Sequence, residues 1–196
     1  MTDEDEIAAA RTAERPELGA LLAKIAWICH SIRIAAVLYA VWILYLLTAY
    51  WTDAAAIKAS YGHMLGKDLS GITPWQVAAA FGVNIVLWLF TAAACYSAWR
   101  LFTAYLSGSI FTAEAARWLR RVASYGVIAQ LLSIAARPLL TIIITLHFPA
   151  GEHQRAVAIF FQPNDLLTML LLLGLLALAH IQKTAAEIHS EFQETV

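Results

Sequence analysis

The stretch LLTMLLLLGLLALAHI, Leu166 to Ile181, contains no Asp, Glu, Lys or Arg. Taken from Pro163, a helix rising 1.5 Å per residue covers about 28 Å by Ile181, against a bilayer hydrocarbon core of ~30 Å. A lone segment in hydrocarbon must satisfy its backbone hydrogen bonds internally, so it is read as a transmembrane helix. Three more stretches qualify on the same grounds: about residues 25–51, 75–99 and 122–148. The expectation is an all-α integral membrane protein, a four-helix bundle with helices extended into the cytoplasm. Residues 1–20 would form a polar cytoplasmic segment and 21–196 the four-span domain.

Composition agrees. Of 196 residues, 61% are hydrophobic and 14% charged, and mean hydropathy is +0.66. Soluble domains carry roughly 45–50% apolar and ~25% charged residues. So short a chain cannot hide this much apolar surface in an aqueous core, and lipid is the implied solvent. The formal net charge of −1 argues against nucleic acid as a partner, which needs a basic face. Cys29 and Cys95 fall in apolar stretches without metal-ligand spacing and read as buried thiols. The acidic start MTDEDEIAAARTAERPELG lacks the basic head and short apolar core of a secretory signal. The chain is expected to insert through its own spans and keep them.

Basic residues set the orientation. Arg11, Arg15 and Lys24 precede the first span, Arg100, Arg117, Arg120 and Arg121 lie between the second and third, and Lys183 follows the fourth. The other side has Lys58, Lys67 and Arg155. This asymmetry places both termini in the cytoplasm. Trp27, Trp51, Trp75, Trp99 and Trp118 stand where span ends meet headgroups. On the outer side, TDAAAIKASYGHMLGKDLSGITP has room for a short interfacial helix ended by Gly66 or Gly71. On the inner side Gly108 breaks the helix leaving the second span. Thr112 is a good N-cap for the next, with Glu114 in its first turn. Arg117, Arg120 and Arg121 would face Glu187 and Glu191 of the tail, a candidate contact surface for a partner.

These inner stretches carry a resemblance. The sequence GSIFTAEAARWLRRVASYG, followed by a leucine-rich span ending in AAEIHSEFQETV, resembles the DUF2975 family of bacterial four-span membrane proteins. Gly108, Phe111, Thr112, Glu114, Leu119, Arg120 and Arg121 match its pattern into the third span, and Glu187, Glu191 and Val196 its acidic tail. The resemblance implies a multi-pass protein of the bacterial inner membrane. Some members are encoded beside small helix-turn-helix regulators. It supplies no catalytic residues.

Polar residues inside the spans are the candidate sites. Arg137 lies in IAARPLLTIIITLHF, residues 134–148, beyond snorkelling reach of the inner interface. An arginine near mid-membrane costs about 2.5–3.5 kcal/mol on insertion scales, so it should face the bundle and find acceptors. Pro138 leaves the carbonyl of residue 134 without its usual donor, which offers one acceptor. Asn84 lies at similar depth and Asp165 one turn inside the outer end of the fourth span. Together they suggest an outer polar layer of Asn84, Arg137 and Asp165, either a helix-fixing ion pair or an anion site. Deeper toward the cytoplasm lie His30 and Arg33 on one face of the first span, with Gln130 and His180. Haem held between His30 and His180 is the alternative reading, with His63, His147 and His153 as outer ligands for a second haem. Otherwise neither cofactor nor metal is implied. No HExxH helix, nucleophile elbow or phosphate loop is present. Runs of small residues, Ala78 to Ala80 with Gly82 and Ala92 to Ala94, permit close helix approach, internally or to a membrane protein partner or second copy. The leading expectation is a non-enzymatic accessory or regulatory subunit acting through helix contacts.

Overall fold

The computed structural model describes residues 26–66, 68–107, 112–148 and 162–187 in full, with the backbone alone for 3–25 and 188–194. Five helices follow one another: α1 (Asp3–Thr52), α2 (Ala54–Leu65), α3 (Pro74–Leu106), α4 (Ala113–Thr145) and α5 (Pro163–Glu194). Four of them contain segments long and apolar enough to cross a membrane, Ala26–Thr52, Pro74–Leu106, Ala113–Thr145 and Pro163–Glu187. The protein is an all-α, multi-pass membrane protein. At about 50 Å, the 33-residue helices α3 and α4 outreach the hydrocarbon core and project beyond it.

Local chemistry fixes the starts of α2, α3 and α4. Asp53 caps α2, its Oδ1 accepting from Ala55 and Ala56 N–H at 3.0 and 3.1 Å. Gly66 ends α2 at φ 62°, a left-handed position that costs glycine nothing; of the two expected stops, this one is used. α3 opens on Thr73-Pro74-Trp75-Gln76, where Gln76 Oε1 accepts from the Thr73 N–H at 2.8 Å and hydroxyl at 2.7 Å. Proline at the first helical position wastes no donor. Thr112 caps α4, accepting from Ala115 N–H at 3.3 Å. α4 runs through Pro138 without ending.

The helices pack in chain order. α1 lies on α3, α3 on α4 and α4 on α5, while α2 touches α1. Among the described residues no comparable interface joins α1 to α5, so the bundle is an open row with these two helices at its flanks. Its buried core sits at one end, where Trp51, Ile57, Leu69, Ala80, Leu140 and Ile144 meet beneath α2. Gln76, 1% exposed, ties α3 to α4 there by donating from Nε2 to the Ile143 carbonyl at 2.9 Å. Farther along, Trp88 Nε1–H donates to the Ala40 carbonyl at 3.0 Å and ties α3 to α1. Hydrocarbon supplies no competing water, so such bonds persist between helices. Ala80 is buried in this packing and Gly82 is exposed. At the α4–α5 contact, Gly126 lies so close that a Cβ there would come 2.6 Å from Leu172 Cδ2.

Candidate functional site

The polar cluster within the spans is built on α4 and α5. On α4, Gln130 and Arg137 stand seven residues apart, two helical turns, and so project from one face. Asp165 comes from the first turn of α5, where the positive end of the helix dipole favours a carboxylate. Its Oδ2 also accepts from Gln162 N–H at 2.9 Å, the backward half of a capping box. Arg137 Nη1 donates to Asp165 Oδ2 at 2.5 Å and Nη2 to Oδ1 at 2.7 Å. Gln130 Nε2 adds a bond to Oδ1 at 3.0 Å. One carboxylate therefore takes four hydrogen bonds from three residues. The Asp165 side chain is 5% exposed and that of Arg137 28%, so the acid is closed in and the base keeps an open edge.

That edge borders a cavity of about 280 Å³ under α2, lined by Tyr50, Tyr61, Ser60, Thr141 and Gln162 among others. Burial, with Tyr50 adding to it, pushes the Tyr61 hydroxyl up to about 12 from its ordinary value near 10. Asp165 already engages both terminal nitrogens of Arg137, so a ligand anion in this cavity would have to compete with a bidentate, charge-assisted pair.

The structure thus brings Arg137 and Asp165 together and leaves Asn84 apart. Asn84 Nδ2 donates back to the Ala80 carbonyl of its own helix at 2.9 Å. Gln130, expected in a separate layer with His30 and Arg33, instead reaches the Arg137–Asp165 pair. Its amide extends along the α4 face toward a carboxylate entering from the start of α5.

His30 on α1 and His180 on α5 are both exposed, and their helices flank the row without a shared interface among the described residues. His63 is exposed on the last turn of α2. His147 packs against Gly71, with its Cδ2 3.2 Å from where a Cβ would stand. His153 lies outside the described residues. No group of three His, Cys, Asp or Glu side chains suited to a metal occurs among the described residues. Cys29 is buried and Cys95 half-buried, both as free thiols.

At the opposite end of the molecule, arginines and aromatic rings interleave. Arg33 sits over the Trp99 ring at 5.5 Å. Trp118 is held by Arg100 at 4.9 Å and Arg121 at 4.6 Å, while its Nε1–H donates to Glu114 at 3.2 Å. Arg117 and Arg120 project from α4 toward α5 and border a groove between the two helices. Glu187 pairs with Lys183 of its own helix at 3.3 Å, and the side chain of Glu191 lies outside the described residues. Gln76 and Trp88 are interhelical ties that a reading led by charge misses. The Thr73–Gln76 spacing of a capping box is the signal for the first, and the second has no local signature.

Residues 67–196 match the family described as Protein of unknown function (DUF2975). The chain belongs to the DUF2975 family. The match takes in α3, α4 and α5, and with them both members of the ion pair, while α1 and α2 precede it. Within the matched segment, Thr112 and Glu114 have identifiable work, as the α4 cap and as the acceptor beside Trp118. No curated protein and no solved structure matches the chain.

Proposed function

We propose that this DUF2975 protein is a non-catalytic accessory or regulatory subunit of the bacterial inner membrane. Both termini lie in the cytoplasm, and it acts by docking another membrane helix on α1. The carrying observation is the outward face of α1. Trp27, Ile34, Leu38, Val41 and Tyr45 are each 60–67% exposed, and steps of seven, four, three and four residues between them make a continuous seam. Tyr39 and Trp42 flank it, at 53% and 58% exposed.

Tyr39, Trp42 and Tyr45 stand toward the middle of the Ala26–Thr52 span. Tyrosine and tryptophan facing lipid belong at the interfaces, where the polar tip reaches water. A hydroxyl without a hydrogen bond in an apolar medium costs roughly 2–7 kcal/mol, and neither Tyr39 nor Tyr45 has a hydroxyl partner among the described residues. The outward face of α5 offers a contrast. There Leu167, Leu170, Leu171, Leu178 and Ile181 present only hydrocarbon, which lipid itself satisfies. A protein helix with accepting groups suits α1 better than acyl chains do.

The ion pair belongs to this reading as a positioning device. It locks α5 to α4 and so holds one side of the row rigid. The test places a photo-crosslinking amino acid at Leu38 in native membranes. Adducts to a discrete polypeptide, another protein or a second copy, support docking on α1; adducts to lipid alone would overturn it.

A further inference from the structure

Where α4 begins and α5 leaves its spanning segment, a cavity of about 780 Å³ opens between the two helices. That volume falls within the range of roughly 300–1,000 Å³ typical of ligand sites. Arg117 and Arg120 lie three residues apart on α4, and His180 and Lys183 three apart on α5, so each pair shares a helix face. All four line the cavity, and no carboxylate does among the described residues. Lys183 shares its charge with exposed Glu187. Arg117 and Arg120 have no ion-pair or hydrogen-bond partner among the described residues. Two guanidinium groups therefore face one space.

The composition of the wall changes along α5. Toward the middle of the span it becomes apolar, with Leu173 and Ala177. On the same helix face, three residues before Leu173, stands Leu170, 68% exposed, which lies against bilayer hydrocarbon. A cationic mouth at the membrane edge joined to an apolar trough fits an amphiphile with a phosphate at one end. A free phosphate would use the mouth and leave the trough uncovered. We propose that the α4–α5 groove binds an anionic glycerophospholipid. Its phosphate lies between Arg117, Arg120, His180 and Lys183, and its acyl chain runs along Leu173 and Ala177. This inference is independent of the docking face on α1.

Native mass spectrometry of the full-length protein in nonionic detergent tests it, with phosphatidylglycerol, phosphatidylcholine and inorganic phosphate as probes. Phosphatidylglycerol should be retained at least tenfold more strongly than phosphatidylcholine. The double variant Arg117→Gln, Arg120→Gln should lose about 30-fold of that affinity, from roughly 1 kcal/mol for each charge. Arg117→Lys with Arg120→Lys should keep most of it. Ala177→Trp fills the trough without touching a charge and should also release the lipid, which keeps the test decisive if the glutamine variant misfolds. Equal retention of both lipids, or full binding by a folded glutamine variant, overturns the proposal. Displacement by millimolar inorganic phosphate, with Ala177→Trp silent, overturns the lipid occupant in favour of a small-anion site.

Discussion

The ion pair between Arg137 and Asp165 makes a sharp prediction about a double-mutant cycle. In Arg137→Leu a carboxylate that is 5% exposed in the native protein keeps only the Gln130 and Gln162 donors. In Asp165→Asn the guanidinium stays between helices with its countercharge gone. Removing one member of a buried pair costs about 3–5 kcal/mol, chiefly because the other charge is stranded. Combining the two changes strands nothing. The one carbonyl oxygen of the substituted amide can accept from only one of Gln130 and Gln162, which meet different oxygens of the native carboxylate, so the residual cost is one unmet donor, the spare amide N–H and the lost contacts, about 1–3 kcal/mol. The combined variant should therefore be more stable than either single one, where additivity would give about 6–10 kcal/mol of loss. Unfolding by sodium dodecyl sulfate in mixed micelles, followed by tryptophan fluorescence, reads all four corners of the cycle. Additivity within about 0.5 kcal/mol would refute the claim that these charges answer one another.

Other consequences are simpler to measure. Gln76→Ala deletes the tie to the Ile143 carbonyl and the reciprocal cap at Thr73, and should cost about 2–3 kcal/mol in the same unfolding assay. Gly126→Ala forces Leu172 aside and should cost about 1–3 kcal/mol. Repeated in a Leu172→Ala background, it should cost less than half as much, and an undiminished cost would show that the close approach is elsewhere. Tyr61 should ionise late, at about pH 12. Its folded value is raised above the unfolded one, so its contribution to stability is complete below pH ~10 and is lost as pH rises toward 12. Ultraviolet titration should show a late-titrating component that Tyr61→Phe removes.

Length and polarity make the four spans legible, because a bilayer imposes one requirement on every crossing segment. Short-range chemistry is legible too: Gly66 as a stop and Thr112 as a cap are decided within a few residues. The pairing of Arg137 with Asp165 follows from depth, since few acids stand within reach of that arginine. Neighbour choice is harder to read. Asn84 shares the depth of Arg137, yet its short side chain bonds its own helix at Ala80, an option open to any asparagine four residues past a carbonyl. Depth alone puts Gln130 in the wrong layer, because it ignores how far a long amide reaches toward a carboxylate on the next helix. The open row of helices is not legible either. Periodicity gives each helix a buried face but does not name the helix that covers it, so His30 and His180, alike in depth, stand on separate flanks.

Accessibility of single cysteines, introduced after both native thiols are replaced, tests the transmembrane arrangement most directly. Ala59 on α2, Ala113 at the start of α4 and Thr184 on α5 are all exposed and suit an impermeant maleimide. In right-side-out vesicles Ala59→Cys should label and the other two should not; in inverted vesicles the pattern should reverse. Labelling of Ala113→Cys and Thr184→Cys from opposite faces, or of all three from one face, would contradict four crossings with both inner ends together.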